Sequence, residues 1–171
     1  MSDFIRYAFG KTSLGEVMVA ASDRGVVALE FVDDRNVTEE LLRSRFMDAK
    51  VVLDQTALSL LLSRTRRAVD QPDGGSDIEL DLRGTPYEIQ VWNLLREIAV
   101  GETTSYGALA AKLGTRDARD VTVAISTNPI AILVPCHRVL KKNGSISGYR
   151  WGVRRKRTLL EREQLALRDR K

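Results

Sequence analysis

The chain opens with a two-residue alternation of apolar and polar positions. Phe4-Ile5-Arg6-Tyr7-Ala8-Phe9, Glu16-Val17-Met18-Val19-Ala20-Ala21 and Val26-Val27-Ala28-Leu29-Glu30-Phe31-Val32 are rich in β-branched and aromatic residues. Turn residues Ser13-Leu14-Gly15 and Ser22-Asp23-Arg24-Gly25 separate them, so the pattern predicts strands of a small antiparallel sheet. The period then lengthens. Helices are expected around Glu39–Phe46 and Thr56–Val69, the second with Leu58, Leu61, Leu62 and Val69 on one apolar face. Gln71-Pro72-Asp73-Gly74-Gly75-Ser76 is a strong breaker, and Ile78-Glu79-Leu80-Asp81-Leu82 alternates again, as a strand completing the first sheet. A boundary is placed at Arg83-Gly84, giving domains 1–83 and 84–171.

The second domain reads as mainly helical. Thr85-Pro86-Tyr87-Glu88 combines an N-cap threonine, a proline at the first helical position and a glutamate three residues after the cap, which is a capping box. The apolar positions Ile89, Val91, Trp92, Leu95 and Ile98 carry this helix until Gly101. Ser105 can cap a short helix, Tyr106–Leu113, ended by Gly114, and another follows after a tight connection at about Arg116–Ser126. Two short helices so joined have the outline of a helix-turn-helix. Ile130-Ala131-Ile132-Leu133-Val134 reads as a buried strand or extended segment leading into Pro135-Cys136-His137-Arg138. A last helix is expected from about Val153 to Leu167. The fold class is therefore α/β (α+β): a small sheet-bearing domain followed by a helical one.

Charge sharpens this division. Residues 1–83 carry 11 Lys/Arg against 15 Asp/Glu, a balance of −4, whereas residues 84–171 carry 16 against 8, a balance of +8. A basic second half suits a polyanionic partner. No apolar run approaches the ~20 residues that span a bilayer, and Met1-Ser2-Asp3-Phe4 does not begin a signal peptide. The expectation is a cytoplasmic protein without membrane contact.

The chain has one cysteine, Cys136, and one histidine, His137. Neither an internal disulfide nor a Cys/His zinc site can be built from them, and no metal or cofactor is expected. A cysteine after an apolar run is commonly a small buried hydrophobe. Here Pro135 turns the chain at Cys136, the single imidazole is adjacent, and Arg138 follows. A base or a positive charge makes a thiol nucleophilic. A water could bridge the neighbouring side chains, and Glu161 or Glu163 of the last helix could orient the imidazole. The residues alone reach a cysteine nucleophile.

Ile132-Leu133-Val134-Pro135-Cys136-His137-Arg138-Val139 resembles the hallmark of the O6-alkylguanine-DNA alkyltransferases, or methylated-DNA–protein-cysteine methyltransferases. The likeness extends through Gly84-Thr85-Pro86-Tyr87, Val91-Trp92, Gly101-Glu102-Thr103-Thr104-Ser105-Tyr106, Asn128-Pro129 and Ser147-Gly148-Tyr149-Arg150-Trp151-Gly152. It is nearest the alkyltransferase half of the Ada type, without a counterpart of that type's cysteine-rich zinc domain. Each motif alone is weak; their order and spacing together are specific.

The resemblance implies a fold with an N-terminal α/β domain and a DNA-binding helical domain. It also implies a reaction: Cys136 takes the alkyl group from O6 of guanine in double-stranded DNA and is consumed. His137 is then the base acting through water, Glu163 its holder, and Asn128 the anchor of the cysteine turn. Tyr106 lies against the flipped nucleotide and helps protonate the leaving guanine. Val139, Tyr149 and Arg150 line the guanine pocket. Arg119 intercalates where the nucleotide has left, on a helix that enters the minor groove, and Ala118, Thr122, Tyr106 and Arg138 contact DNA. The helix departs from the family pattern at Asp120 and Thr122-Val123, where small residues are usual; an acid beside phosphates weakens binding. Arg150 differs from some relatives. The expected state is a monomer. Two other readings stay open: a catalytically silent lesion-binding or regulatory protein of the same fold, against which Cys136 argues, and a cysteine hydrolase, which the adjacency of Cys136 and His137 strains.

Overall fold

The alternating N-terminal segments form β1 (Asp3–Thr12), β2 (Gly15–Ala21) and β3 (Val26–Phe31). In the computed structural model, residues 3–72, 77–114 and 117–169 are described. The strands pair antiparallel in the order β3-β2-β1, with Phe9 opposite Met18 and Val19 opposite Leu29. All six residues of β3 are buried. Two features differ from the sequence reading. A fourth strand, β4 (Ala49–Leu53), joins the free edge of β1 in parallel, so the sheet is mixed. Ile78–Leu82 makes only one bridge, Leu80 with Val26, through Val26 N to Glu79 O at 3.0 Å and Asp81 N to Val26 O at 2.8 Å. The alternation is there, but a single bridge uses up its pairing.

Helix α1 (Arg35–Arg45) starts earlier than periodicity suggests, because Asp34 caps it by accepting from Asn36 N and Val37 N. Its Leu42, with Phe46 behind it, closes a core of Ile5, Tyr7, Phe9, Met18 and Val27. Helix α2 spans Ser59–Asp70. Of the breaker after it, residues 73–76 lie outside the described residues.

The described chain forms two compact units, Met1–Leu82 and Arg83–Lys171. The second contains α3 (Pro86–Arg96), α4 (Tyr106–Leu113), α5 (Ala118–Ser126) and α6 (Val153–Asp169). The capping box of α3 is complete in both directions, Glu88 N to Thr85 Oγ1 at 3.1 Å and Thr85 N to Glu88 Oε1 at 2.9 Å. Gly84 is required by packing: a Cβ there would lie 2.7 Å from the Trp92 ring. Trp92 is fully buried and donates through Nε1 to Ala124 O at 2.9 Å, tying α3 to α5. Helix α3 stops short of Gly101 because Glu97 N and Ile98 N turn back to Leu94 O and Leu95 O, tightening its end. Ser105 caps α4 and Gly114 ends it in the left-handed region, φ 72°. Asp117 caps α5, so that helix starts at Ala118; Arg116, the expected start, lies outside the described residues.

The run Ile130–Val134 is not a strand. It is a turn with Ile132 at φ 70° and with Ile132 and Leu133 half-buried, and its backbone groups bond to a side chain described below. Among the described residues no helix is long and apolar enough to cross a membrane.

Candidate active site

Pro135 leads the chain into one 3₁₀ turn over Cys136–Arg138. Asn128, fully buried, holds the approach to it. Its Oδ1 accepts from Ile130 N at 2.9 Å, and its Nδ2 donates to Ile130 O at 3.2 Å, Val134 O at 3.0 Å and Cys136 Sγ at 3.2 Å. One side chain thereby satisfies backbone groups that a sheet would otherwise have paired, and it touches the sulfur as well. This is the reason an apolar run turns here. Cys136 is 5% exposed. Burial pushes its thiol up to about 11, against the Asn128 hydrogen bond and the charges of Lys156 and Arg150.

His137 is completely buried, with Nε2 2.8 Å from Glu163 Oε2. Burial depresses its pKa, outweighing the Glu163 carboxylate, so the ring is neutral at physiological pH. A neutral ring beside a carboxylate must give its one proton to that oxygen. Nδ1 then keeps its lone pair, and it has no hydrogen-bond partner among the described residues. Burial favours the neutral form of Glu163, but the hydrogen bonds of His137 and Arg138 outweigh it and bring the carboxyl down to about 2. The alternative holder, Glu161, is exposed.

Arg138 corrects the sequence reading. It was expected at the DNA, but its side chain is only 11% exposed. Nε donates to Glu163 Oε1 at 2.8 Å, Nη2 to Glu163 Oε2 at 2.9 Å and Nη1 to Ile98 O at 2.5 Å. Its planar fork is used inside the fold, bracing the carboxylate that faces His137.

The strand pair β5 (Thr104–Ser105) and β6 (Val139–Leu140) runs parallel, with Thr104 opposite Val139. It sets the N-terminus of α4 beside the cysteine turn, which brings Tyr106 to the site. Tyr106 Oη lies 2.6 Å from Ser147 Oγ. Val139 is fully buried. The Tyr149 hydroxyl is buried without a hydrogen-bond partner among the described residues, and burial first, then the Cys136 charge, raises its pKa well above the usual value. Its ring meets Trp151 edge-on at 5.3 Å. Arg150 donates from Nη1 to Asn128 O at 2.9 Å and lies over Trp151.

The remaining expected residues lie on α5, away from these contacts. The Arg119 side chain is 90% exposed and pairs with Asp117 at 3.1 Å. Thr122 is exposed, as is Val123, and Ala118 is half-buried. Asp120 is exposed and, with Tyr87, Glu88, Val123 and Ala124, lines an open cleft of about 360 Å³ that does not include Cys136.

Two functional candidates escaped the sequence reading. Lys156 is fully buried, and its Nζ donates to Val139 O at 2.6 Å and Ser147 Oγ at 3.0 Å. It stands among like charges in the run Arg154-Arg155-Lys156-Arg157. The signal was its helical register: Lys156, Leu159 and Glu163 form the buried face of α6. Thr127 was the other: its Oγ1 donates to Glu88 Oε2 at 2.6 Å, linking the capping box of α3 to the residue before Asn128.

Residues 86–165 match the family model described as 6-O-methylguanine DNA methyltransferase, DNA binding domain. The chain is 41% identical over 164 residues to the bifunctional transcriptional activator/DNA repair enzyme Ada of Escherichia coli, covering 93% of this chain and 45% of that one. It is 52% identical over 89 residues to the methylated-DNA–protein-cysteine methyltransferase of Mycobacterium bovis, covering 52% and 54%. It thus spans about half the length of these curated relatives. A crystal structure of Mycobacterium tuberculosis OGT in complex with DNA superposes with a TM-score of 0.77 at 34% identity, covering 94% of this chain and 93% of the other.

Proposed function

The chain belongs to the O6-methylguanine-DNA methyltransferase family, and from that membership we propose that it repairs DNA by irreversible transfer of an alkyl group from O6 of guanine to Cys136. Helix α5 enters the minor groove of double-stranded DNA, and the damaged nucleotide leaves the stack, since a stacked guanine cannot offer O6 for in-line attack. Arg119 fills the vacated space; it gives up only an exposed, solvent-screened pair with Asp117. Ala118 and Thr122 face the groove. Because Cys136 is 5% exposed, the loop 141–150 bearing Tyr149 and Arg150 yields as the base enters, and these two residues with Val139 then line its pocket.

The thiol proton passes to His137 Nδ1 through a water, and the imidazolium is stabilised by Glu163. Sγ bonds to the alkyl carbon as the carbon–O6 bond breaks, its electron pair leaving with guanine. Tyr106 protonates the departing base. The product is a thioether, so each molecule acts once. We further propose that residues 84–171 carry the chemistry and the DNA contact, with 1–83 as a supporting domain, and that the protein works as a cytoplasmic monomer.

The observation that carries this reading is the 2.8 Å contact of buried His137 with Glu163, one residue after the cysteine, with the second ring nitrogen left as a base. The test is intact-protein mass after incubation with duplex DNA containing O6-methylguanine. The expected result is a gain of one methylene unit, abolished by Cys136→Ala. Protein that binds the lesion and stays unmodified overturns the transfer reading and leaves a lesion-binding or regulatory protein.

A further inference from the structure

Lys156 is an expensive residue to bury: an ammonium without water must be fully hydrogen-bonded to be tolerated. Its three N–H groups point at Val139 O (2.6 Å), Ser147 Oγ (3.0 Å) and Gly148 O (3.4 Å). Two of these are carbonyls, which only accept. Ser147, itself buried, is the third, and its Oγ lies 2.6 Å from Tyr106 Oη. Donation from Ser147 to Tyr106 is compatible with the first bond. With Lys156 donating into the Ser147 oxygen, the serine keeps its own hydrogen to give, and Tyr106 Oη is the acceptor within reach. The phenol hydrogen is then free to point away from Ser147.

We propose that Lys156 and Ser147 form a proton-supplying chain behind Tyr106, which makes that tyrosine an effective acid toward the departing guanine. The inference rests on the alkyl-transfer reading above. In the transfer step Tyr106 O–H breaks as its proton goes to a ring nitrogen of the guanine anion. Ser147 passes its hydroxyl proton to the phenolate oxygen, and Lys156 replaces it with one of its own, ending as a neutral amine. The thiol proton meanwhile resides on His137, so the site begins with charged Lys156 and neutral His137 and ends the other way round. Its net charge is unchanged. Burial brings Lys156 down to about 8, a suitable value for an acid acting near neutral pH. Tyr106 is the catalytic residue of this group; Ser147 and Lys156 act through it.

The test measures transfer to the full-length chain from free O6-benzylguanine and from O6-benzyl-8-azaguanine, whose leaving base is more acidic and needs less protonation. Ser147→Ala breaks the chain and leaves Lys156 its two carbonyl partners, Val139 O and Gly148 O. It is expected to slow O6-benzylguanine roughly tenfold and the aza analogue distinctly less, and to add no further loss to Tyr106→Phe. Lys156→Met should behave alike; if it fails to fold, Ser147→Ala carries the test. Equal fractional losses on the two substrates, or additive losses with Tyr106→Phe, mean a merely structural role and overturn the proposal. Absence of the methylene mass gain when the unaltered chain meets duplex DNA containing O6-methylguanine sinks the alkyl-transfer reading itself, and this inference with it.

Discussion

At the scale of the residue, the site is governed by burial. Cys136, His137 and Glu163 are each at most 5% exposed, and each depends on a neighbour to tolerate that. Asn128→Ala removes the partner of Ile130 N, while the Ile130 and Val134 carbonyls keep the N–H groups of Val134 and Cys136. A buried group left unsatisfied costs about 1–3 kcal/mol, so a loss of that size is expected in urea unfolding. The same change takes a hydrogen bond from Sγ that favours the thiolate. The thiol pKa of any folded Asn128→Ala protein should therefore rise, read as slower iodoacetamide modification at pH 8. Glu163 gives a pH signature. Its carboxyl sits near 2 in the fold against an ordinary 4.5. A depressed folded pKa contributes stability that is complete above about 4.5 and disappears as pH falls toward 2. Thermal unfolding should weaken through that window, and Glu163→Gln should flatten the dependence while lowering stability at pH 7. An unchanged pH profile in Glu163→Gln would remove the carboxylate from this account.

At the scale of the element, α5 combines a well-packed inner face with a poorly suited outer one. Val121, Ala124 and Ile125 are buried, and Trp92 bonds to the Ala124 carbonyl. The outer face carries Arg119, Thr122 and Val123, with Asp120 beside them. If Arg119 fills the gap left by the flipped base, Arg119→Ala should slow repair of duplex DNA more than transfer from free O6-benzylguanine. Comparable losses on both would exclude that role. Asp120 brings a negative charge toward phosphates, so Asp120→Asn should tighten duplex binding in fluorescence anisotropy, more at low salt than at high.

At the scale of the whole molecule, charge is divided along the chain, −4 in residues 1–83 and +8 in residues 84–171. Affinity for duplex DNA should fall steeply with salt, with a slope of about 0.9 per phosphate contact. Lys50→Gln, in the acidic first unit, should leave that slope unaltered. A shallower slope in this variant would bring the first unit into the DNA interface.

What the sequence determined by itself was whatever rests on local physics. The hairpin strands followed from alternation and turn residues, the α3 start from its capping box, and the α4 limits from Ser105 and Gly114. The cysteine turn was marked by Pro135, and the candidate chemistry by a lone cysteine next to a lone histidine. What tertiary structure alone decided were contacts between residues distant in the chain. The parallel pairing of β4 with β1 has no local signature, because both partners are simply strand-like. The turn at Ile130–Val134 exists because Asn128 takes its backbone bonds, and hydrophobicity cannot reveal which side chain will do so. Arg138 was expected as a DNA contact, and Lys156 stands unmarked among the basic residues of its run. Both turn inward because α6 brings Glu163 to the first and the β6 carbonyl to the second, and only the folded chain brings them within hydrogen-bonding range.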